Sequence, residues 1–159
     1  MCCSTIRISL NGVVKDQWVS KAGTYQKANG KKNNRSYWTK IDGDQVSCGR
    51  HRASSCKECP SSSPSGNDAS WCNGDCIWKN NECQSDPSFS GSQALWYDNI
   101  YNRWIIGVSR SLGSSNGAIY TSKDTACPTT SDNLWKYVNL VNGEYLLAPN
   151  NSVSVQCVF

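Results

Sequence analysis

Ten cysteines in a chain of 159 residues constrain the fold more than any other feature of the sequence. Six of them fall between positions 48 and 83, and the other four lie at or towards the chain ends. Cysteines at this density are typical of disulfide-bonded proteins in oxidising compartments and are uncommon in a reducing cytosol. The sequence therefore predicts a secreted, extracellular protein. We expect disulfides to engage Cys2, Cys3, Cys48, Cys56, Cys59, Cys72, Cys76, Cys83, Cys127 and Cys157.

The six central cysteines allow a metal-binding interpretation. Cys56 and Cys59, followed by Cys72 and Cys76, have the spacing of a four-thiolate zinc site. Two more cysteines in the same stretch do not fit one closed tetrahedral site, so we favour three disulfides and expect no metal and no cofactor. Each bridge would close a short loop and contribute about 2–4 kcal/mol in the chain-entropy view. The sequence leaves their pairing open.

The four outer cysteines allow fewer arrangements. A bridge between the neighbours Cys2 and Cys3 would form a strained ring, which disulfide geometry disfavours. We therefore expect the N-terminal pair to be tied to Cys127 and Cys157, so that both chain ends are clamped onto the sheet. A bridge between Cys127 and Cys157 themselves is the alternative.

Short strand-like segments separated by turn signals make up most of the remaining chain. Residues 6–10 alternate apolar and polar side chains and run into Asn11-Gly12, which is typical of a strand and a tight turn. Residues 153–159 have a similar pattern, so the two terminal strands are candidate neighbours. Further strands are predicted at 36–41, 94–97, 103–108, 118–121, 135–138 and 144–147. Because no segment has a convincing helical stripe, we predict an all-β fold, a hairpin-built sheet or sandwich stabilised by disulfides.

Residues 47–84 differ in kind from their surroundings. They hold the six central cysteines and a Ser/Pro/Gly loop at 60–66, with almost no aliphatic residues. The strand-like pattern resumes after them. We therefore interpret 1–46 plus 85–159 as one discontinuous β-rich extracellular domain and 47–84 as a small, irregular, disulfide-rich insert. Such an insertion costs little when the two ends of the host loop are close.

The charge pattern limits the classes of partner. The net charge is +4, and the densest basic stretch, 27–35, holds only four cations among Gly and Asn. We interpret it as a solvated loop and reject nucleic acid as a partner. No apolar run approaches the roughly 18 residues of a membrane span. No basic and apolar leader precedes Cys2, so we expect any secretion signal to lie outside these 159 residues.

The insert carries a recognisable motif. CGRHRASSCKECP, followed by ASWCNGDCIWKNNEC, resembles a six-cysteine module of secreted multidomain proteins of marine invertebrates, with its C-x2-CP and WCNGDC-x-W elements. The flanking GTYQKANGKKNNRSYW and ALWYDNIYNRWIIG are similar to a β-rich extracellular repeat of the same kind of protein. The resemblance implies an extracellular setting and carries no established activity.

Catalytic chemistry finds little support in the sequence. The single histidine, His51, sits between Arg50 and Arg52 inside the insert, and one His cannot supply the usual metal cluster. The cysteines are better used in bridges than as nucleophiles. Most carboxylates lie in turn contexts, where Asp bonds its local backbone. We therefore expect a protein that is not an enzyme.

Aromatic residues supply the candidate binding site. Trp96, Tyr97, Tyr101 and Trp104 lie within nine residues on a predicted hairpin. Alternation places Trp96 and Tyr97 on opposite faces, so one of them should be exposed unless both faces are covered. An exposed ring beside polar turn residues suits a pyranose, which presents C–H groups and hydroxyls. The predicted ligand-binding residues are Trp96, Tyr97, Asp98, Asn99, Tyr101 and Trp104; packing in the core is the alternative role of the rings.

These observations predict a secreted, non-enzymatic, lectin-like module that binds a glycan or an extracellular protein. Alternatives are a structural or adhesive protein of the extracellular matrix and a protease inhibitor that uses the 60–66 loop. Asn34 and Asn150 each begin an N-glycosylation acceptor triplet, which is consistent with secretion.

Overall fold

A computed structural model describes residues 2–42, 46–48, 51–53, 55–59, 72–86, 92–121, 123–129, 134–140 and 142–159. The strands are β1 Thr5–Leu10, β2 Gly23–Lys32, β3 Arg35–Lys40, β4 Val46–Cys48, β5 His51–Ala53, β6 Cys76–Lys79, β7 Glu82–Ser85, β8 Gln93–Asp98, β9 Arg103–Val108, β10 Ile119–Thr121, β11 Trp135–Val138, β12 Tyr145–Leu147 and β13 Val153–Cys157. Within these ranges one α-helix, α1, spans Gly12–Trp18, and short 3₁₀ helices span Val19–Lys21, Cys56–Glu58 and Ser109–Ser111.

Nine of these strands form one curled antiparallel sheet in the order β12-β11-β10-β9-β8-β3-β2-β1-β13. The fold is therefore mostly β, as predicted. The terminal strands are neighbours, because Ile6 pairs with Cys157 and Ile8 with Val155. Along β1, Ile6, Ile8 and Leu10 are buried while the alternating Arg7 and Ser9 are exposed. A period of two thus places one face of β1 in the core.

Helix α1 was not expected from the sequence. Asn11 caps it on the N-terminal side with extended backbone, so the predicted tight turn at Asn11-Gly12 is wrong. The helix buries Val14, Gln17 and Trp18. The Trp18 indole donates to the Val138 carbonyl oxygen at 2.8 Å. At seven residues the helix is too short to display a repeated apolar stripe, which explains why the pattern did not reveal it.

The basic stretch 27–35 is also not the predicted loop. Most of it belongs to β2, which pairs with β3 through Lys27 and Trp38 and again through Lys32 and Arg35. Asn33 and Asn34 connect the strands with φ values of 52° and 64°. Two successive residues with positive φ are typical of the tight hairpin turn that matches strand twist. The sequence did not predict this strand, because its C-terminal end is solvent-exposed and therefore polar in composition.

The core lies mainly on the inner face of the sheet. Large rings and aliphatic side chains from eight strands and α1 pack there, including Trp18, Tyr25, Trp38, Tyr97, Trp104 and Trp135. A second, smaller cluster of Ala94, Trp96, Ile105 and Tyr120 occupies the outer face. Segment 109–117 covers it, with the Trp96 indole donating to the Ser114 carbonyl oxygen at 2.9 Å. Strand β8 is consequently buried on both faces.

The outer disulfides join the chain ends to the sheet. Cys2 is bonded to Cys127 and Cys3 to Cys157, as predicted, and the alternative bridge between Cys127 and Cys157 is wrong. Each closes a loop of more than one hundred residues. In the chain-entropy view long loops gain the most from such a link.

The other three bridges close within 47–84. They pair Cys48 with Cys59, Cys56 with Cys76 and Cys72 with Cys83. The four cysteines with zinc-like spacing are thus divided among all three bridges, and two of these bridges pack side by side, with the sulfur atoms of Cys59 and Cys76 3.6 Å apart. The segment is less irregular than expected, because it contains the hairpins β4–β5 and β6–β7.

A buried ion pair links this segment to the sheet region. The Lys21 ammonium lies 3.0 Å from a carboxylate oxygen of Asp75, and both side chains are fully buried. The same ammonium donates to the Ser20 hydroxyl at 3.0 Å. The Tyr25 hydroxyl donates to the Lys21 carbonyl oxygen at 2.7 Å. A charged pair therefore lies where the insert packs against the turn that precedes β2.

Candidate functional site

The β8–β9 hairpin places the predicted binding residues in two different environments. Trp96, Tyr97, Asp98 and Trp104 are at most 4% exposed. Tyr101 is 65% exposed, and Asn99 is also exposed. Neither Trp96 nor Tyr97 lies at the surface, which is the exception that the prediction allowed for a strand covered on both faces. Both faces of β8 are covered, the inner one by the main core and the outer one by segment 109–117.

The buried rings of the hairpin have structural partners. The Tyr97 hydroxyl donates to an Asp124 carboxylate oxygen at 2.8 Å, and the Arg35 guanidinium lies 3.7 Å from the Tyr97 ring centroid. Trp104 packs edge-on against Trp38 at 5.9 Å between ring centroids. These contacts join β3, β8, β9 and the loop that holds Asp124, so Tyr97 and Trp104 act in packing rather than as open stacking surfaces.

A different set of aromatic side chains forms the exposed surface. The Arg103 guanidinium carbon lies 4.8 Å from the Tyr101 ring centroid and 4.1 Å from the Tyr120 ring centroid. Tyr120 meets Tyr145 edge-on at 5.4 Å. Tyr145 is 58% exposed, whereas Tyr120 is buried. We call Tyr101, Arg103, Tyr120 and Tyr145 the tyrosine cluster, in which two exposed rings flank a cation and a buried ring.

Asp98 balances the charge of the cluster and shapes the turn beside it. Its Oδ2 atom lies 3.4 Å from Arg103 Nε, while its Oδ1 atom accepts hydrogen bonds from Ile100 N and the Ser115 hydroxyl. Arg103 also donates to the Ser115 carbonyl oxygen at 3.1 Å. Asp98 is only 1% exposed. The structure therefore places this predicted ligand residue below the surface, where it ties the 99–102 turn to the loop on the outer face.

Tyr120 holds the cluster against segment 109–117. Its hydroxyl accepts a hydrogen bond from Gly117 N at 2.7 Å and donates to the Gly117 carbonyl oxygen. Burial raises the pKa of the Tyr120 phenol to about 12. The ring therefore stays neutral at physiological pH. Gly117 also packs closely against Ile105. A Cβ atom at position 117 would overlap Ile105 Cγ2, so this packing requires glycine.

Exposed apolar residues extend the surface. Ile100 is 71% exposed in the turn beside Tyr101, and Leu147 is 59% exposed on the edge strand β12. Sequence reasoning found Tyr101 and Asn99 but missed Arg103, Tyr120 and Tyr145. The alternation of side chains along a strand could have shown that Tyr120 and its neighbour Ile119 lie on opposite faces of the sheet. Only the pairing of β10, β11 and β12 brings Tyr145 next to Tyr120.

The structure also places other residues that the sequence singled out. Asn34 lies exposed in the β2–β3 turn, and Asn150 is exposed before β13; their glycosylation stays a prediction. His51 belongs to β5, but its side chain lies outside the described part of the chain. The 60–66 loop lies outside it as well.

Comparisons with protein-family models, curated proteins and solved structures find nothing that matches the chain. Among the described residues, no helix combines the length and the apolar character needed to cross a membrane. The site must therefore be interpreted from its own geometry and chemistry.

Proposed function

We propose that this protein is a secreted, non-enzymatic module that recognises glycans through the tyrosine cluster. The observation that carries the proposal is the exposure of two phenol rings, Tyr101 and Tyr145, on either side of a cation and a buried ring. Arg103 and the buried Tyr120 connect them, and the strands that carry these two residues, β9 and β10, are each paired on both sides, while Tyr145 lies on the edge strand β12. Side chains that are held in place before binding lose little conformational entropy on binding.

The chemistry of the cluster suits a sugar. A tyrosine ring offers an apolar face to the C–H groups of a pyranose and a hydroxyl for hydrogen bonding. The Asn99 side-chain amide, which is exposed beside Tyr101, adds a donor and an acceptor for sugar hydroxyls. Because Asp98 neutralises Arg103, the cluster does not require a charged ligand.

Secretion is supported by the covalent structure. All ten cysteines are paired in five disulfides. Bridges in this number persist in oxidising compartments. An extracellular location is also where free glycans and glycosylated surfaces are available to a binding module.

A glycan array followed by titration calorimetry tests the proposal. We expect at least one glycan to bind saturably and Tyr101→Ala or Tyr145→Ala to weaken it at least about tenfold, which corresponds to ~1.4 kcal/mol. Ile77→Ala is the matched control, because Ile77 is an exposed apolar residue on the insert. Unfolding curves must match between variants. A glycan whose affinity is unchanged by both tyrosine substitutions would contradict the assignment.

An adhesive role is the second candidate. Ile100, Tyr101, Tyr145 and Leu147 together expose apolar surface of the kind that mediates protein contacts. Surface adhesion that a free sugar inhibits saturably would favour glycan recognition. Adhesion that is insensitive to every sugar but lost in Tyr101→Ala would favour the adhesive role. Protease inhibition through the 60–66 loop remains a prediction that a protease panel would test.

A further inference from the structure

A cavity of about 500 Å³ opens on a different part of the surface from the tyrosine cluster. Strand β1, helix α1, the start of β2 and the end of β3 surround it. Its volume lies within the roughly 300–1,000 Å³ that is usual for small-molecule sites. The lining side chains used below are Arg7, Ser9, Asn11, Lys15, Lys40 and Asp42.

The cavity has a positive lining. Arg7, Lys15 and Lys40 contribute three cations against the single carboxylate of Asp42. Asp42 accepts a hydrogen bond from Thr24 N at 2.7 Å. Partial burial opposes ionisation of Asp42, but this hydrogen bond and the charges of Lys40 and Arg7 lower its pKa overall. The carboxylate is therefore ionised at neutral pH, and a net positive charge remains.

Gly23 allows the charged side chains to line the cavity as they do. Its φ of +143° lies in a region that side chains rarely adopt. A Cβ atom there would overlap the Asp42 carboxylate and would lie 2.6 Å from Lys40 Cε. The backbone thus leaves room for both side chains. Lys40 is further anchored by donating to the Ser20 carbonyl oxygen at 2.8 Å.

The remaining lining is mixed in polarity. Val19 and Ala22 provide apolar atoms, while Ser9 and Asn11 provide polar groups. An apolar patch, hydrogen-bonding groups and cations in one concavity match the parts of an acidic sugar, which are its C–H groups, its hydroxyls and its anion. A purely inorganic anion would not use the apolar part.

We propose that this cavity binds an acidic saccharide whose carboxylate or sulfate ester is held by Arg7, Lys15 and Lys40. The site shares no residue with the tyrosine cluster. It would therefore be a second saccharide site, and it can exist whether or not the cluster binds a glycan.

Amide chemical-shift titrations of the full, disulfide-bonded chain test this site. The probes are glucuronate, glucose 6-sulfate and neutral glucose. We expect glucuronate or glucose 6-sulfate to shift amides of residues 7–11 and 22–24 saturably, and glucose to leave them unshifted. The stronger of the two acidic probes identifies the anion that the site prefers. Equal shifts with glucose, or no shift with either acidic sugar, would overturn the proposal.

Charge variants provide the control. Arg7→Gln and Lys15→Gln should each weaken binding about two- to fivefold, on the scale of a solvent-accessible ion pair. Lys57→Gln removes an exposed cation on the insert and should leave binding unchanged. An equal loss in Lys57→Gln would mean that general positive charge attracts the anion, which overturns the site. Loss in Tyr101→Ala would instead place the acidic sugar on the tyrosine cluster, and it would equally overturn the cavity.

Discussion

The buried ion pair between Lys21 and Asp75 yields a quantitative test of how the insert is attached. The two charged groups lie 3.0 Å apart, are fully buried and are 54 residues apart in the chain. Removing one partner of such a pair leaves the other charge in a medium that solvates it poorly. Asp75→Ala should therefore destabilise the protein by about 3–5 kcal/mol.

The pH dependence of this loss has a definite sign. Burial lowers the pKa of Lys21, and Asp75 opposes that effect. Without Asp75 the pKa of Lys21 in the folded state falls further below its unfolded value of 10.5. Between those two pKa values the unfolded chain binds more protons, so the stability of the variant rises with pH. Because burial also keeps the Lys21 pKa of the folded wild type below 10.5, the gap between wild type and Asp75→Ala should narrow between the Lys21 pKa of the variant and that of the wild type, and it should stay constant from there to 10.5.

Denaturant unfolding with the disulfides intact measures both effects. The double variant Lys21→Met/Asp75→Ala removes both charges, so it should lose less stability than the two single variants combined. Hydrogen exchange of Asp75→Ala should increase first in β6 and β7, while β8 and β9 keep their protection. A loss below about 1 kcal/mol in Asp75→Ala, or additive losses in the double variant, would refute the reasoning.

Three further predictions address the outer face and the chain ends. From pH 10 to about 12, the stability advantage of wild type over Tyr120→Phe should shrink by roughly 2–3 kcal/mol, because the folded state holds the phenol proton that the unfolded state releases. Denaturant unfolding measures this difference, and a constant difference would contradict the prediction. Gly117→Ala should lower stability by about 1–3 kcal/mol in thermal unfolding, because the new Cβ atom overlaps Ile105. The control Gly30→Ala, whose Cβ atom would have its nearest contact at 3.9 Å, should change stability little. Equal effects of the two substitutions would refute the close-packing argument. Replacing Cys3 and Cys157 together by serine should cost about 2–5 kcal/mol in the same assay, and an unchanged melting temperature would contradict the clamp.

The strands that the sequence predicted best are those whose composition alone defines them. β9 and β11 have the predicted bounds, because each is rich in aromatic and β-branched residues and is flanked by turn residues. The sequence predicted neither β2 nor α1, and the reason differs between the two. The exposed end of β2 offers no apolar side chains to detect, and α1 completes too few turns to repeat its apolar face.

The candidate site shows where local patterns stop being informative. Nothing near Trp96 in the sequence indicates that segment 109–117 folds back over it and accepts its indole hydrogen bond. Tyr145 likewise joins the tyrosine cluster only through the pairing of β10, β11 and β12. Tyr101 was selected together with the buried rings for their closeness in the sequence, and it is exposed because it lies in the turn itself. Exposure at a hairpin turn is thus easier to predict than exposure on a strand.

Mapping a bound glycan by amide chemical shifts is the most direct test of glycan recognition through the tyrosine cluster. A glycan identified on the array, titrated into labelled protein, should perturb residues 99–103 and 144–147 saturably and leave the insert hairpin β6–β7 unchanged. Perturbations that avoid both of these segments, or that persist unchanged in Tyr101→Ala, would contradict the proposed function.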